Sequence, residues 1–482
     1  MSPSRRSSRG PLRPAHRLAA LAVALALAGC ASTAVNDNYA QVQALTRQSV
    51  DSDVKWLTSD DARREAQTDT DRLLAQPLSA DDAVRIALAY SPSLQAMLYE
   101  SAAEAADTSQ SARLPNPVFS FERLVRNEAG MREVEIGRVL SFSVLDLLLL
   151  PSRLRLADYR DQTTRLTLAG NVVQAASDAR QAWVNAVAAR QLLQYAEQVK
   201  AAADAGAEVA RRMQAVGNFS KLQRAREQAF SADAVAQLAR ARQSALASRE
   251  ALVRALGLND AQAGRLTLPD RLPDLPAAPR DEAVVAQAAL DQRLDVRLAR
   301  ASLEFTARDQ GLTRVTSFVN GLELGVVHNS ETGRPPQKGY SLELPLPIFD
   351  FGDAARSRSQ AVYMAALNRT AQLAVVARSQ VREGYGAYRT AYDLSRHYRD
   401  EIVPLRKTIS EENVLRYNGM LIGVFELLAD SREQISSVMQ AIEAQRDFWL
   451  ADAALQATLI GKPVGAPAME AASSSGRAAP AH

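Results

Sequence analysis

The chain is short of most residues on which enzymes and small secreted domains are built. One cysteine, Cys30, in 482 residues excludes a disulfide framework and any zinc site made of paired thiols. There are four histidines, and none stands at the spacing of a helical metal motif. No Gly-rich phosphate loop with Lys-Ser/Thr and no nucleophile elbow occurs. No catalytic residue, metal-ligand set or cofactor is therefore expected. Aromatic residues make up only 5 %, and the abundance of Ala, Arg and Gln favours long helices over a β-sandwich. Hydrophobic content of 47 % with 23 % charged residues excludes a disordered chain. The only uninterrupted apolar stretch near membrane length lies before residue 30, which excludes a polytopic helical membrane protein.

A strong charge of one sign is also missing. The formal net charge is +3. Residues 1–29 hold five Arg and no acid, so the remainder has 52 basic and 54 acidic residues, or −2. That balance carries no electrostatic footprint for nucleic acid.

What is present begins with a leader. A basic segment with Arg5, Arg6, Arg9, Arg13 and Arg17 precedes the apolar run from Leu18 to Ala28, and Gly29-Cys30 follows. The run is too short to anchor in a bilayer but suits an export signal over 1–29. Leu27-Ala28-Gly29-Cys30 resembles the bacterial lipobox, which implies lipidation of Cys30 and cleavage just before it. Ala31, where an Asp would favour retention in the inner membrane, implies sorting to the outer membrane. A plain signal peptide ending near a cysteine is the alternative.

The remaining 453 residues look internally duplicated at an offset of 200–206 residues. Asp81-Asp82-Ala83-Val84 is echoed by Asp281-Glu282-Ala283-Val284. Gly217-Asn-Phe219-Ser-Lys-Leu222-Gln-Arg-Ala-Arg226-Glu227-Gln228 is echoed by Gly423-Val-Phe425-Glu-Leu-Leu428-Ala-Asp-Ser-Arg432-Glu433-Gln434, with six of twelve positions identical. Each half reads short helix, strand, strand, long helix, tight turn, long helix. Tyr340 to Ile348 alternates large apolar residues with Ser341, Glu343, Pro345 and Pro347, the period of a one-sided strand. Phe318, Leu322, Leu324 and Val326 repeat the pattern, with Asn320 as an exception. Val134, Ile136, Leu140 and Phe142 form a third stripe, broken by Arg138, and Phe119, Phe121 and Val125 a weaker fourth. Turns are expected at Asn127 to Met131 and Asn329 to Gln337. Each strand is roughly ten residues, enough to cross a bilayer when tilted.

The helices are longer than a globular core can use. Pro151 to Val216 has no interior proline and would reach about 100 Å as one helix. Helix is expected again to about Leu256, then from about Asp353 with a break near Pro404, a turn at Gly419 to Gly423, and on to about Ile460. Leu421, Leu428, Ile435, Ile442 and Trp449 fall at strict sevens, a coiled-coil seam. A soluble antiparallel bundle accounts for that stripe equally well, but not for the leader or for strands at matching places in both halves. Four strands are too few to close a barrel, and a spanning sheet cannot leave an edge in lipid. Copies of the chain must then complete it.

These features resemble the TolC-type outer-membrane factors, lipoprotein branch. The matching segments are Tyr340-Ser-Leu-Glu-Leu-Pro-Leu-Pro-Ile-Phe-Asp350-Phe-Gly352, the opening Leu78 to Leu94 with Ser91-Pro92-Ser93-Leu94, and the turns Gly217 to Leu222 and Arg416 to Gly423. The resemblance implies a mainly α subunit with transmembrane β-strands: duplicated, with long α-helical hairpins and four strands, trimeric as β-barrel and α-barrel. It implies a lipid-anchored channel of the outer membrane reaching into the periplasm, working with a periplasmic adaptor protein and an inner-membrane pump. Cargo would be small solutes, drugs or heavy-metal ions. A type I protein-secretion duct and a non-channel periplasmic coiled-coil scaffold lipoprotein are the alternatives. The boundaries expected are the signal 1–29, an anchor and extension 30–77, repeats 78–265 and 281–465, a Pro-rich linker or hinge 266–280, and a disordered tail 466–482. The tip turns at Gly217, Gly419 and Gly423 would form the periplasmic gate, with Glu426, Asp430, Lys221, Arg224 and Tyr417 as gate candidates. The acids would favour cations, and Lys221 and Arg224 would pair with them when closed. Departures from the family pattern are Met420 at the usual glycine position, Gly419 one place early, and Ala429 for a second frequent acid. The internal match and the family match differ by three residues at this turn.

Overall fold

The computed structural model describes residues 30–47, 50, 52–128, 131–283, 285, 293–317 and 321–462. The leader 1–29, the strand positions Phe318 and Asn320, and the tail 466–482 lie outside the described residues. The chain divides into two compact units, and each draws on both halves of the sequence: residues up to Ala44 with Tyr99–Arg165 and Arg300–Asn368, and Leu45–Leu98 with Leu166–Ala299 and the chain from Arg369 onward. The elements in order are α1 (Cys30–Arg47), α2 (Asp60–Leu73), α3 (Ala80–Tyr90), α4 (Pro92–Ser111), β1 (Val118–Glu128), β2 (Met131–Ser143), α5 (Val144–Ala215), α6 (Lys221–Leu256), α7 (Asp260–Arg265), α8 (Leu294–Thr316), β3 (Glu323–Glu331), β4 (Gln337–Glu343), α9 (Asp353–His397), a π-turn (Tyr398–Ile402), α10 (Val403–Asn418) and α11 (Val424–Ile460).

The first unit holds the sheet. Its four strands run in the order β1-β2-β3-β4, all antiparallel. Both expected hairpins form, and their registers set Phe119 opposite Leu140, Leu140 opposite Val326, and Val326 opposite Tyr340. Thr332 clips the second hairpin to the first, its backbone N–H donating to the Val134 carbonyl at 3.1 Å and its hydroxyl accepting from the Val134 N–H at 3.0 Å. Three boundaries differ from expectation. Helix α8 runs to Thr316, so β3 starts at Glu323 and is displaced towards its turn. Strand β4 stops at Glu343, paired with Glu323, because β3 offers no residue beyond it. Leu344 to Ile348 alternate in polarity without joining the ladder, and Pro345 and Pro347 have no N–H to donate. Helix α5 begins at Val144 and takes Pro151 into its interior. The Val144 N–H donates to the Leu322 carbonyl at 2.8 Å. Arg153 then bonds Asp146 at 2.6 Å and the Ser111 carbonyl at 3.0 Å, steadying the turns around the proline.

The second unit is helical. Buried alanines recur at sevens along α5, at Ala189, Ala196, Ala203 and Ala210, and small side chains let neighbouring helices approach closely. In α11 the fully buried column is Ser437, Ala444, Ala451 and Thr458, again at sevens. Of the apolar seam expected there, Ile442 is buried, Leu428, Ile435 and Trp449 are half-buried, and Leu421 lies in the turn before the helix, 73 % exposed. The break near Pro404 is a π-turn, in which the Val403 N–H reaches back to the Tyr398 carbonyl.

The Pro-rich segment 266–280 is a strap rather than a hinge. Leu268 and Leu272 enter a core with Trp183, Leu252, Leu256 and Leu450, and Leu275 enters another with Tyr388, Tyr392, Phe448 and Leu455. Gln445 and Trp449 donate to the Pro273 carbonyl at 2.7 and 3.0 Å. The Tyr392 hydroxyl donates to the Pro276 carbonyl at 3.1 Å, and the Arg280 N–H to the Tyr388 hydroxyl at 3.1 Å. Arg280 also bonds Asp452, whose carboxyl is pushed up by burial, against the pull of that guanidinium.

Candidate functional site at the helical hairpin turns

The site is built from two helix–turn–helix hairpins of the second unit. In the first, α5 closes with the Asn218 N–H on the Met213 carbonyl and Gly217 left-handed at φ 83. Ser220 then caps α6 in a reciprocal box with Gln223. In the second, the Leu421 N–H bonds the Arg416 carbonyl, and the left-handed residue is Met420, φ 57 and 93 % exposed. A side chain in that region costs ~1–2 kcal/mol. Gly419 and Gly423 have negative φ, so of the three tip glycines only Gly217 uses its freedom. Met420 stands 203 residues after Gly217, and the cap Gly423 stands 203 after the cap Ser220. The two turns thus correspond at 203, three residues away from the motif match that set Gly217 on Gly423. Cap geometry overrides sequence identity here.

Helix α11 lies along the first hairpin. Arg432 reaches Glu227 of α6 at 2.6 Å, and the Glu227 side chain is only 2 % exposed. The Arg432 guanidinium also covers the Phe230 ring at 4.5 Å, and Arg226 lies 5.5 Å from the Phe425 ring centre. Ile435 packs on a small core of Val199, Ala203 and Ala234. Nearby on α5, hydrogen bonds from Arg211 and Arg212 hold the Glu208 carboxyl down at about 2, so it is ionised at any neutral pH. Glu227 and Arg432 both stand in the duplicated Arg-Glu-Gln segments, a signal visible in the sequence but not tied there to a contact.

Each expected gate residue has a definite place. Lys221 opens α6 and Glu426 lies in the first turn of α11, both exposed. Tyr417 is in the last turn of α10, 38 % exposed. Arg224 bonds Gln214 of α5 at 2.8 Å. Asp430 is half-buried. The Arg224 Nε, Asp430 Oδ2 and Arg432 Nε atoms are buried without a hydrogen-bond partner. Among the described residues no ion pair within the chain joins Lys221 or Arg224 to Glu426 or Asp430. No group of His, Cys, Asp or Glu among them could hold a metal ion. No described helix is long and apolar enough to cross a membrane.

The fold is that of TolC-like channels. It matches the outer-membrane channel CmeC of Campylobacter jejuni with a TM-score of 0.68 and 15 % identity, over 80 % of this chain and 86 % of that one. A membrane protein of Pseudomonas aeruginosa matches at 0.66 with 18 % identity, over 84 % and 95 %. The open state of the Neisseria gonorrhoeae channel MtrE matches at 0.62 with 18 % identity, over 80 % and 89 %. No protein-family model and no curated protein matches the chain by sequence.

The buried pair gives a test of what fixes α11 on the first hairpin. Arg432→Met strands the Glu227 carboxylate and is expected to cost ~3–5 kcal/mol, while adding Glu227→Met should restore most of it. Thermal unfolding of the two singles and the double measures this; strictly additive losses would contradict it.

Proposed function

We propose that the chain is the outer-membrane channel component of a tripartite efflux system, a passive duct for small solutes. The observation that carries this reading is the sheet. Among the described residues it has four strands, an exposed apolar face with Phe119, Phe121, Phe142, Leu324, Val326, Tyr340 and Leu342, and outer edges on β1 and β4 that no described strand pairs. An apolar sheet face with open edges is tolerated in lipid only once the edges are paired. Three copies would supply twelve strands, each β4 meeting the next β1. The polar faces of the strands would then line a water-filled lumen. A coiled-coil scaffold has no use for such a sheet.

In this reading the chain does no chemistry, and the energy comes from an inner-membrane pump joined through a periplasmic adaptor. Cys30, at the start of α1, is the site of lipid attachment. The duplicated segments 78–265 and 281–465 are the two repeats of the subunit. The hairpin turns are the gate. Around the three-fold axis, Glu426 and Asp430 would bring carboxylates together, where like charges attract cations into a narrow passage. Lys221, Arg224 and Tyr417 would hold the closed form through contacts with neighbouring copies.

Protein extracted in mild detergent should run as a trimer and carry single-channel current in planar bilayers. A species that stays monomeric, or that carbonate alone releases from membranes, would overturn the channel reading. Labelled palmitate should be incorporated by the wild type and lost in Cys30→Ser. For the gate, Glu426→Ala with Asp430→Ala is expected to lower cation selectivity. Reversal potentials equal to those of the wild type would remove these two residues from the gate.

A further inference from the structure

The register sorts the charges of the sheet by face. Directly opposed residues share a face, so the apolar face also carries Arg138, His328 and Lys338, one beside the next across β2, β3 and β4. Arg123, opposite Ile136, and Arg132, opposite Asn127, lie on the same face nearer the turn of the first hairpin. No acidic residue falls on this face in the paired registers. The other face carries Glu122, Glu133, Glu135, Glu323, Glu331 and Glu343, with Arg126 as its one cation. A Cβ built on Gly137 would meet the Glu122 side chain at 3.6 Å, in keeping with that assignment.

The placement is costly for an isolated sheet. Positive charges gathered on one face repel, and Arg123, Arg132, Arg138 and Lys338 make no ion pair among the described residues. They are also grouped by height. The rows nearest the helices are wholly apolar: Phe142, Leu324 and Leu342, then Phe119, Leu140, Val326 and Tyr340. The first basic row lies four residues beyond Phe142, about 14 Å along the strand. Cations on a lipid-facing surface are tolerated at the headgroup level and not at the midplane. The basic rows therefore mark the headgroup level on the side of the hairpin turns, away from α5 and α9.

We propose that this belt binds the phosphates of a phosphorylated glycolipid in the outer leaflet of the membrane. The inference rests on the reading that the sheet spans an outer membrane with its turns outward. Arg138 and Lys338 flank His328 as a three-strand cradle, and Arg123 and Arg132 extend it towards the turn. Guanidinium groups bind phosphate through paired N–H donors, and the apolar rows below receive the acyl chains. With no acid on this face among the paired residues, lipid phosphates would supply the counter-charge.

The test uses full-length protein in mild detergent, incubated with diphosphoryl lipid A, phosphatidylglycerol or phosphatidylcholine, with retained lipid read by native mass spectrometry. Wild type should retain lipid A in preference to both phospholipids. Arg138→Gln with Lys338→Gln should weaken retention by about 25-fold, roughly fivefold for each cation. Arg123→Gln with Arg132→Gln, nearer the turn, provides a second variant should the first fail to assemble. Glu135→Gln with Glu331→Gln on the opposite face should leave retention unchanged. Equal retention of lipid A by wild type and both basic-face variants, or no preference over phosphatidylglycerol, would overturn the proposal. Single-channel current separates the two readings: protein that conducts but ignores lipid A loses only the belt, whereas protein that never conducts loses the channel.

Discussion

A β-sheet leaves one row of backbone N–H and C=O groups unmet on each outer strand, and lipid offers nothing to bond them. That constraint would govern the first unit in the proposed membrane setting. Its strands are amphipathic in register, so the aromatic residues Phe119, Phe121, Phe142 and Tyr340, with Leu140, Leu324, Val326 and Leu342, meet on one face. An apolar face this exposed would aggregate in water, and its edges would be unsatisfied in hydrocarbon. Pairing β4 of one copy with β1 of the next would satisfy the edges, and lipid around the closed barrel would cover the apolar face. In the proposed assembly, the lone sheet and the barrel would thus be linked by hydrogen-bond accounting rather than by any special contact.

The helical unit meets a different constraint, the close approach of helices far longer than a globular core. Columns of Ala189, Ala196, Ala203 and Ala210, and of Ser437, Ala444, Ala451 and Thr458, are buried at sevens. Small residues at the seam bring backbones together, and the larger Leu428, Ile435 and Trp449 remain half-covered beside them. The strap 266–280 then crosses the helices of both halves. Arg190 of α5 bonds the Leu268 carbonyl and Asp270, and Gln445 and Trp449 of α11 hold Pro273. Prolines suit such a strap because they bring no backbone N–H to be satisfied, while their carbonyls accept from side chains.

Long-period patterns were the most legible part of the sequence. The duplication, the four strands, the ends of α6, α9 and α11, and the break near Pro404 all follow from periodicity and punctuation. What failed were boundaries decided by a partner. Residues 344–348 alternate like a strand, yet β3 has nothing left to pair with them. Pro151 looks like a helix start, yet the Leu322 carbonyl already begins α5 at Val144. Leucine columns drew attention to the visible seam, while alanine and serine columns, silent in hydropathy, fill the buried one. The turn correspondence erred for a related reason. Six identical residues favour one alignment, but capping geometry, read from φ and hydrogen bonds, selects another.

The hairpin turns and the strap differ in how fully their polar groups are met. Along the strap, Arg280 and the side chains of Tyr385, Tyr388, Tyr392, Gln445 and Trp449 that face it all find hydrogen-bond partners within the second unit. At the turns, Arg224, Asp430 and Arg432 each keep a buried polar atom unmet, and Met420 is held left-handed. Unmet polar atoms and backbone strain lower the free energy needed to leave an arrangement, so they lower local stability at the turns. The Glu227–Arg432 pair opposes this, because opening α11 from α6 would expose or strand a carboxylate that is now buried. For the gate proposed above, the pair would act as a clasp beside groups whose hydrogen-bonding needs this arrangement leaves unmet.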